Sequence, residues 1–227
     1  MDMISSQNVT ILVGEERKPV RIQKDILTAR CAHFQGLYRN DMHGTQEDTF
    51  EWLDEDPDVV DLFVEWVHAQ RIGALESDLN VHRYTKAYML ADELCMPQFQ
   101  NAIMDQLRRP FRTTAVNPGH LAWLEQHAIC CLQLHAYFLD QLVYEIHHST
   151  SCYKDGVVRM VDGTEKPTPV KAGLEVLMGK QRNLAMKLFW RVQAFDKVNS
   201  QDPSMLEGCH YHVHDEGETC DTRSSKK

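Results

Sequence analysis

The chain has 227 residues, 43% apolar and 25% charged, an ordinary globular balance with room for one large domain or two small ones. Its 33 acidic and 24 basic side chains give a formal charge of −9, which repels phosphate backbones over most of the surface and argues against a nucleic-acid partner. No window offers about 18 uncharged apolar residues, and the N-terminus lacks a basic segment followed by an apolar run, so neither a membrane span nor a secretory signal is expected. The expected compartment is intracellular, cytoplasm and/or nucleus.

In chain order, Val9 to Val13 reads as a strand, Gly14 to Lys18 as a turn and Val20 to Ile22 as the returning strand. Lys24-Asp25-Ile26-Leu27 then opens a helix. Asp56-Pro57 starts another, in which Val59, Val60, Leu62, Phe63, Val64, Trp66 and Val67 spread round more than one face, the pattern of a helix buried on several sides. Tyr84, Ala87, Tyr88, Ala91 and Leu94 keep the i, i+3, i+4, i+7 spacing of a single inward stripe. Met96, Phe99, Ile103 and Leu107 form the next stripe, and Pro97 suits a first helical turn because its missing donor would have no intrahelical partner there. The order strand, strand, helices predicts an α+β binding scaffold. Arg108, Arg109 and Arg112 are the only close basic group and read as a solvated helix end.

Val20 to Leu27, the Phe34 to Tyr38 run and Tyr88-Met89-Leu90-Ala91-Asp92-Glu93-Leu94 together resemble the BTB/POZ domain over residues 5–109. The variant resembled is the one common among fungal proteins, whose strand pair leads into a segment like Gln23-Lys24-Asp25-Ile26-Leu27. The ordered set carries the likeness, not any single motif. The resemblance implies a small sheet with a helical cluster that mediates protein–protein contacts, often as a homodimer. In that family a strand-leading aspartate and a basic residue after a motif histidine often form a charged pocket near the dimer interface. The matching positions here are Asn8 and Lys24, and Gln23 stands for the histidine, keeping a hydrogen-bonding group without titration near neutral pH. Asn8, Lys24, Asp25, Met42, Phe63 and Trp66 are the candidate interaction residues. An alternative role implied by the family is that of substrate adaptor for a cullin-type E3 ubiquitin ligase. The loop motif of such adaptors, a hydrophobic residue, any residue and an acid, is matched by Met42-His43-Gly44 without the acid, although Glu47 and Asp48 keep the loop negative.

Beyond residue 109 the texture changes, and 110–117 reads as a linker, with Thr113, Thr114 and Asn117 ahead of Pro118-Gly119. A helical region is expected over 118–200. Leu132, Ala136, Leu139, Val143 and Ile146 line one face of a helix reaching His148, and Val170, Leu174, Leu177, Leu184, Leu188 and Val192 line another. Between them Asp155-Gly156 and Asp162-Gly163 flank Val157, Val158, Met160 and Val161, a short strand without an evident partner or a loop with an apolar anchor.

The tail, 201–227, holds Cys209, His210, His212, His214 and Cys220. Cys209, His212, His214 and Cys220 would supply two thiolates and two imidazoles, a complete tetrahedral set for Zn2+. The other cysteines, Cys31, Cys95, Cys130, Cys131 and Cys152, bring the total to seven, an odd number that argues against a disulfide framework in a reducing compartment. No Gly-x-Ser-x-Gly, phosphate-cradling glycine loop or His-Glu-x-x-His is present, and Cys130, Cys131, His127 and His135 read as packing residues of an apolar helix, so no enzyme is expected.

Overall fold

The structure, a computed structural model, describes residues 7–39, 48–75, 80–148, 157–159, 165–167, 174 and 177–214. It belongs to the mixed α+β class. The described residues fall into two compact units that divide between Gln106 and Leu107.

The N-terminal unit begins with an antiparallel hairpin. β1 (Asn8–Val13) pairs with β2 (Lys18–Gln23) in the register Asn8↔Gln23 to Val13↔Lys18. Val9, Ile11 and Val13 alternate inward and are fully buried. The turn between the strands places Gly14 at φ +68° and Arg17 at φ +53°, and Arg17 N donates to Gly14 O at 2.9 Å. A third strand, β3 (Thr49–Trp52), lies parallel on the other edge of β1, with Thr10↔Thr49 and Val13↔Trp52 in register. It is four residues long, too short for its alternation to stand out in the sequence.

Between β2 and β3 run α1 (Lys24–Arg30) and α2 (Ala32–Arg39); after β3 come α3 (Pro57–Ala69), α4 (Val81–Glu93) and α5 (Pro97–Leu107). α3 starts where Asp56-Pro57 predicts: the Asp56 side chain accepts from Asp58 N at 3.0 Å and Pro57 occupies the first turn. Both predicted stripes of α4 and α5 are buried throughout. An aromatic chain links the layers. Phe34 of α2 meets Phe50 of β3 edge-on at 5.0 Å, Trp52 meets Phe63 of α3 at 5.4 Å, and Trp66 of α3 meets Phe99 of α5 at 5.4 Å.

In the C-terminal unit the stretch expected as a linker is packed structure. Pro110–Arg112 forms a 3₁₀ turn, Phe111 packs edge-on against Phe138 at 5.6 Å, and Phe111 and Val116 are buried. Asn117-Pro118, a turn signal in isolation, is here the start of α6 (Pro118–His127): the Asn117 side chain accepts from Gly119 N at 2.9 Å and Pro118 sits in the first turn. Arg108, expected on a solvated end, is only 6% exposed.

α7 (Leu132–His148) is the long central helix. Of the predicted stripe Leu139 and Val143 are buried, Ala136 and Ile146 half-buried and Leu132 74% exposed, while Leu134, Tyr137, Phe138, Gln141, Leu142 and Glu145 add a further buried face. The helix has two covered sides. Glu145, 3% exposed, accepts from Val116 N at 2.9 Å and from Gln141 Nε2 at 3.0 Å. The short strand is present as β4 (Val157–Arg159), and its partner is β5 (Glu165–Pro167), antiparallel with Val158 opposite Lys166.

The last predicted stripe is interrupted at Gln181: residues 177–180 are helical, and α8 (Arg182–Ala194) follows. Leu177, Leu184 and Leu188 are buried as expected, while Val170 lies outside the described residues. Among the described residues no helix is long and apolar enough to cross a membrane.

Candidate functional site

Among the described residues, a grouping of polar side chains suited to chemistry is found in each unit. In the N-terminal unit it forms where α1, α2 and the approach to β3 converge. The Lys24 backbone N donates to Gln7 O at 2.9 Å, which fixes the start of α1 beside the entry to β1. The Lys24 side chain, 14% exposed, pairs with Asp48, its Nζ 3.2 Å from Oδ1. The same ammonium lies 3.7 Å from the centre of the Tyr38 ring, a cation–π distance. Tyr38 Oη donates to Asp48 Oδ1 at 3.4 Å, which closes a triangle of cation, carboxylate and phenol.

The Tyr38 phenol is pushed up to about 12, first by burial, then by the Asp48 charge and its hydrogen bond, all of which oppose a phenolate. A cleft of about 490 Å³ opens beside this triangle, with Lys24, Asp25, Gln35 and Arg39 among its lining residues.

The triangle revises the expected pocket. The carboxylate beside Lys24 is that of Asp48, forty residues beyond Asn8, which stays exposed at the head of β1. Asp25 is exposed on the cleft rim. Phe63 and Trp66 are corrected: at 0% and 4% exposure they are core residues of α3, so they are not available to a partner. The pattern of apolar positions round that helix already pointed to burial. Met42 lies outside the described residues.

In the C-terminal unit, Cys209, His212 and His214 come together. One ligating atom from each lies within 4.8 Å of the others, and all three are half-buried. This group can hold a metal ion. Two local features build it: Gly208 takes φ +82°, a left-handed turn suited to glycine, and His212 N donates to Cys209 O at 3.2 Å across the turn that follows. Tyr211, between the ligands, is 4% exposed; it donates to Asp140 Oδ2 of α7 at 3.2 Å and meets the Tyr137 ring at 5.2 Å. Asp140 also pairs with Arg191 of α8. Cys220, the fourth expected ligand, lies outside the described residues.

Around Cys130 and Cys131 the imidazoles have other partners. A ring nitrogen of His135 lies 3.0 Å from Ala128 O and the other 3.6 Å from Glu125 Oε2, while His127 stacks on Trp123 at 4.5 Å. Cys31 and Cys131 are buried, Cys95 and Cys130 exposed.

Set beside known proteins, the chain is matched by no family model and by no curated protein.

Proposed function

We propose that the N-terminal unit is a protein-interaction module of the BTB/POZ kind, through which the chain associates with a second copy of itself. The order of elements supports this reading: a hairpin widened by one parallel strand, then a cluster of helices, which is the small sheet with helices that the resemblance implies. The observation that carries it is the Lys24–Asp48 pair beside an open cleft. Asn8 lacks the carboxylate of the family's charged pocket, and Asp48 supplies one to the same cation.

The triangle of Lys24, Asp48 and Tyr38 is suited to recognition. It is a preorganised, partly desolvated set of charges with the exposed Asp25 at its rim, and such charges govern orientation and partner choice more than raw affinity.

The mass of the full chain by light scattering at tens of micromolar tests the reading. Two chains per particle are expected, and reversing the exposed charge with Asp25→Arg is expected to shift the mass toward one chain while the far-ultraviolet circular dichroism of the folded chain stays unchanged. A mass of one chain across that range overturns self-association. Mixing the chain with a cullin N-terminal fragment on a sizing column separates the adaptor role: co-elution is the behaviour of an adaptor.

A further inference from the structure

We propose that the C-terminal unit carries a zinc site made by Cys209 Sγ and one ring nitrogen each of His212 and His214. The donors are one thiolate and two imidazoles, the set zinc prefers, with no carboxylate or carbonyl among them to favour magnesium or calcium.

The spacing of the atoms suits one ion. Zinc bonds of about 2.3 Å to sulfur and about 2.0 Å to nitrogen, in tetrahedral array, put the donors about 3.3–3.6 Å apart. The observed limit of 4.8 Å leaves roughly an ångström to close, within the reach of side-chain rotation on a fixed backbone.

That backbone is held on both sides. Gly208 sets the left-handed turn before Cys209, and the bond from His212 N to Cys209 O closes the next turn. Tyr211 then ties the loop to α7 through its ring and its hydrogen bond to Asp140. A loop anchored in this way presents its donors with less ordering entropy to overcome than a free tail would. His210 serves as an internal contrast. It sits inside the same loop but is exposed and stands outside the group of three. The site is therefore selective among the loop's histidines, which a merely histidine-rich tail would not be.

Coordination takes Cys209 as the thiolate and each imidazole in its neutral form. The fourth tetrahedral position is left for a donor beyond these three.

The test uses the untagged full chain, loaded with a zinc salt, dialysed and measured by elemental analysis; one zinc per chain is expected. Cobalt(II) in place of zinc should give a tetrahedral visible spectrum with a thiolate charge-transfer band, and Cys209→Ser should abolish that band. His212→Ala and His214→Ala should each weaken zinc binding by about tenfold or more, the loss expected when part of a metal site is removed. His210→Ala should change neither stoichiometry nor affinity. Zinc well below one per chain overturns the proposal, as does equal loss in His210→Ala and His212→Ala. If the Cys209 variant fails to fold, the wild-type cobalt spectrum decides, because absence of a thiolate band there overturns the proposal by itself.

Discussion

Asp48→Asn isolates the Lys24–Asp48–Tyr38 triangle with little change of shape. At 3.2 Å and an effective dielectric of about 20, the raw attraction between Lys24 and Asp48 is about 5 kcal/mol. Most of this is offset by desolvation of the two charges. Exposed pairs are worth about 0–1 kcal/mol, and breaking a fully buried pair costs about 3–5 kcal/mol. The Lys24 side chain is 14% exposed and that of Asp48 31%, between these limits and nearer the buried one for the cation. The asparagine can still accept from the ammonium, and the Tyr38 ring still faces it, so the expected loss is about 1–2 kcal/mol. Urea unfolding followed by tryptophan fluorescence reads it, with Trp52 and Trp66 reporting on the N-terminal unit. A double-mutant cycle with Lys24→Met should return a coupling of about 1 kcal/mol that persists in high salt, because a partly buried pair is weakly screened. A loss of under about 0.3 kcal/mol, or a coupling of zero, would refute the account of Lys24 as a cation held by Asp48.

Tyr38, the core of α3 and the buried Tyr137 each carry a further expected outcome. Tyr38 should titrate near pH 12, and its raised pKa makes a stability contribution that is complete below pH 10 and lost as pH climbs toward 12; the difference in near-ultraviolet phenolate absorbance between wild type and Tyr38→Phe checks this, and Asp48→Asn should lower the value without restoring it to 10, since burial is the larger cause. Phe63→Ala and Trp66→Ala should each lower stability by about 3–5 kcal/mol, as truncations of fully packed aromatics do, with a loss under about 1 kcal/mol in urea unfolding arguing against their core placement. Tyr137→Phe should leave the C-terminal unit's stability unchanged or raise it by up to about 1 kcal/mol, because its buried hydroxyl has no hydrogen-bond partner among the described residues, and a loss beyond that in the same assay would reveal a partner.

The N-terminal unit was largely legible in the sequence because its signals are local. The hairpin follows from alternating apolar residues around Gly14, and α3 from Asp56-Pro57 ahead of an apolar run, where the capping chemistry and the packing demand agree. Phe63 and Trp66 show the limit of a borrowed role. The apolar residues round α3 demanded burial, and the core of the unit supplies it rather than an interface.

What escaped were features fixed by tertiary pairing. β3 has four residues and exists because β1 offers it a free edge. Asp48 acquired its role only when that pairing drew it to Lys24, since Thr10 N donates to Asp48 O and so holds the residue beside the cleft. Asn117-Pro118 was ambiguous for a different reason. The same two residues that break a chain also cap and start a helix, and only the apolar residues that follow, Leu121, Ala122 and Leu124, all buried, decide between the two. The Cys209–His214 loop combines both situations. Cys209, His212 and His214 were already chosen as ligands in the sequence, but the anchoring of their loop through Tyr211 to Asp140, a contact 71 residues away, is contained in no local pattern.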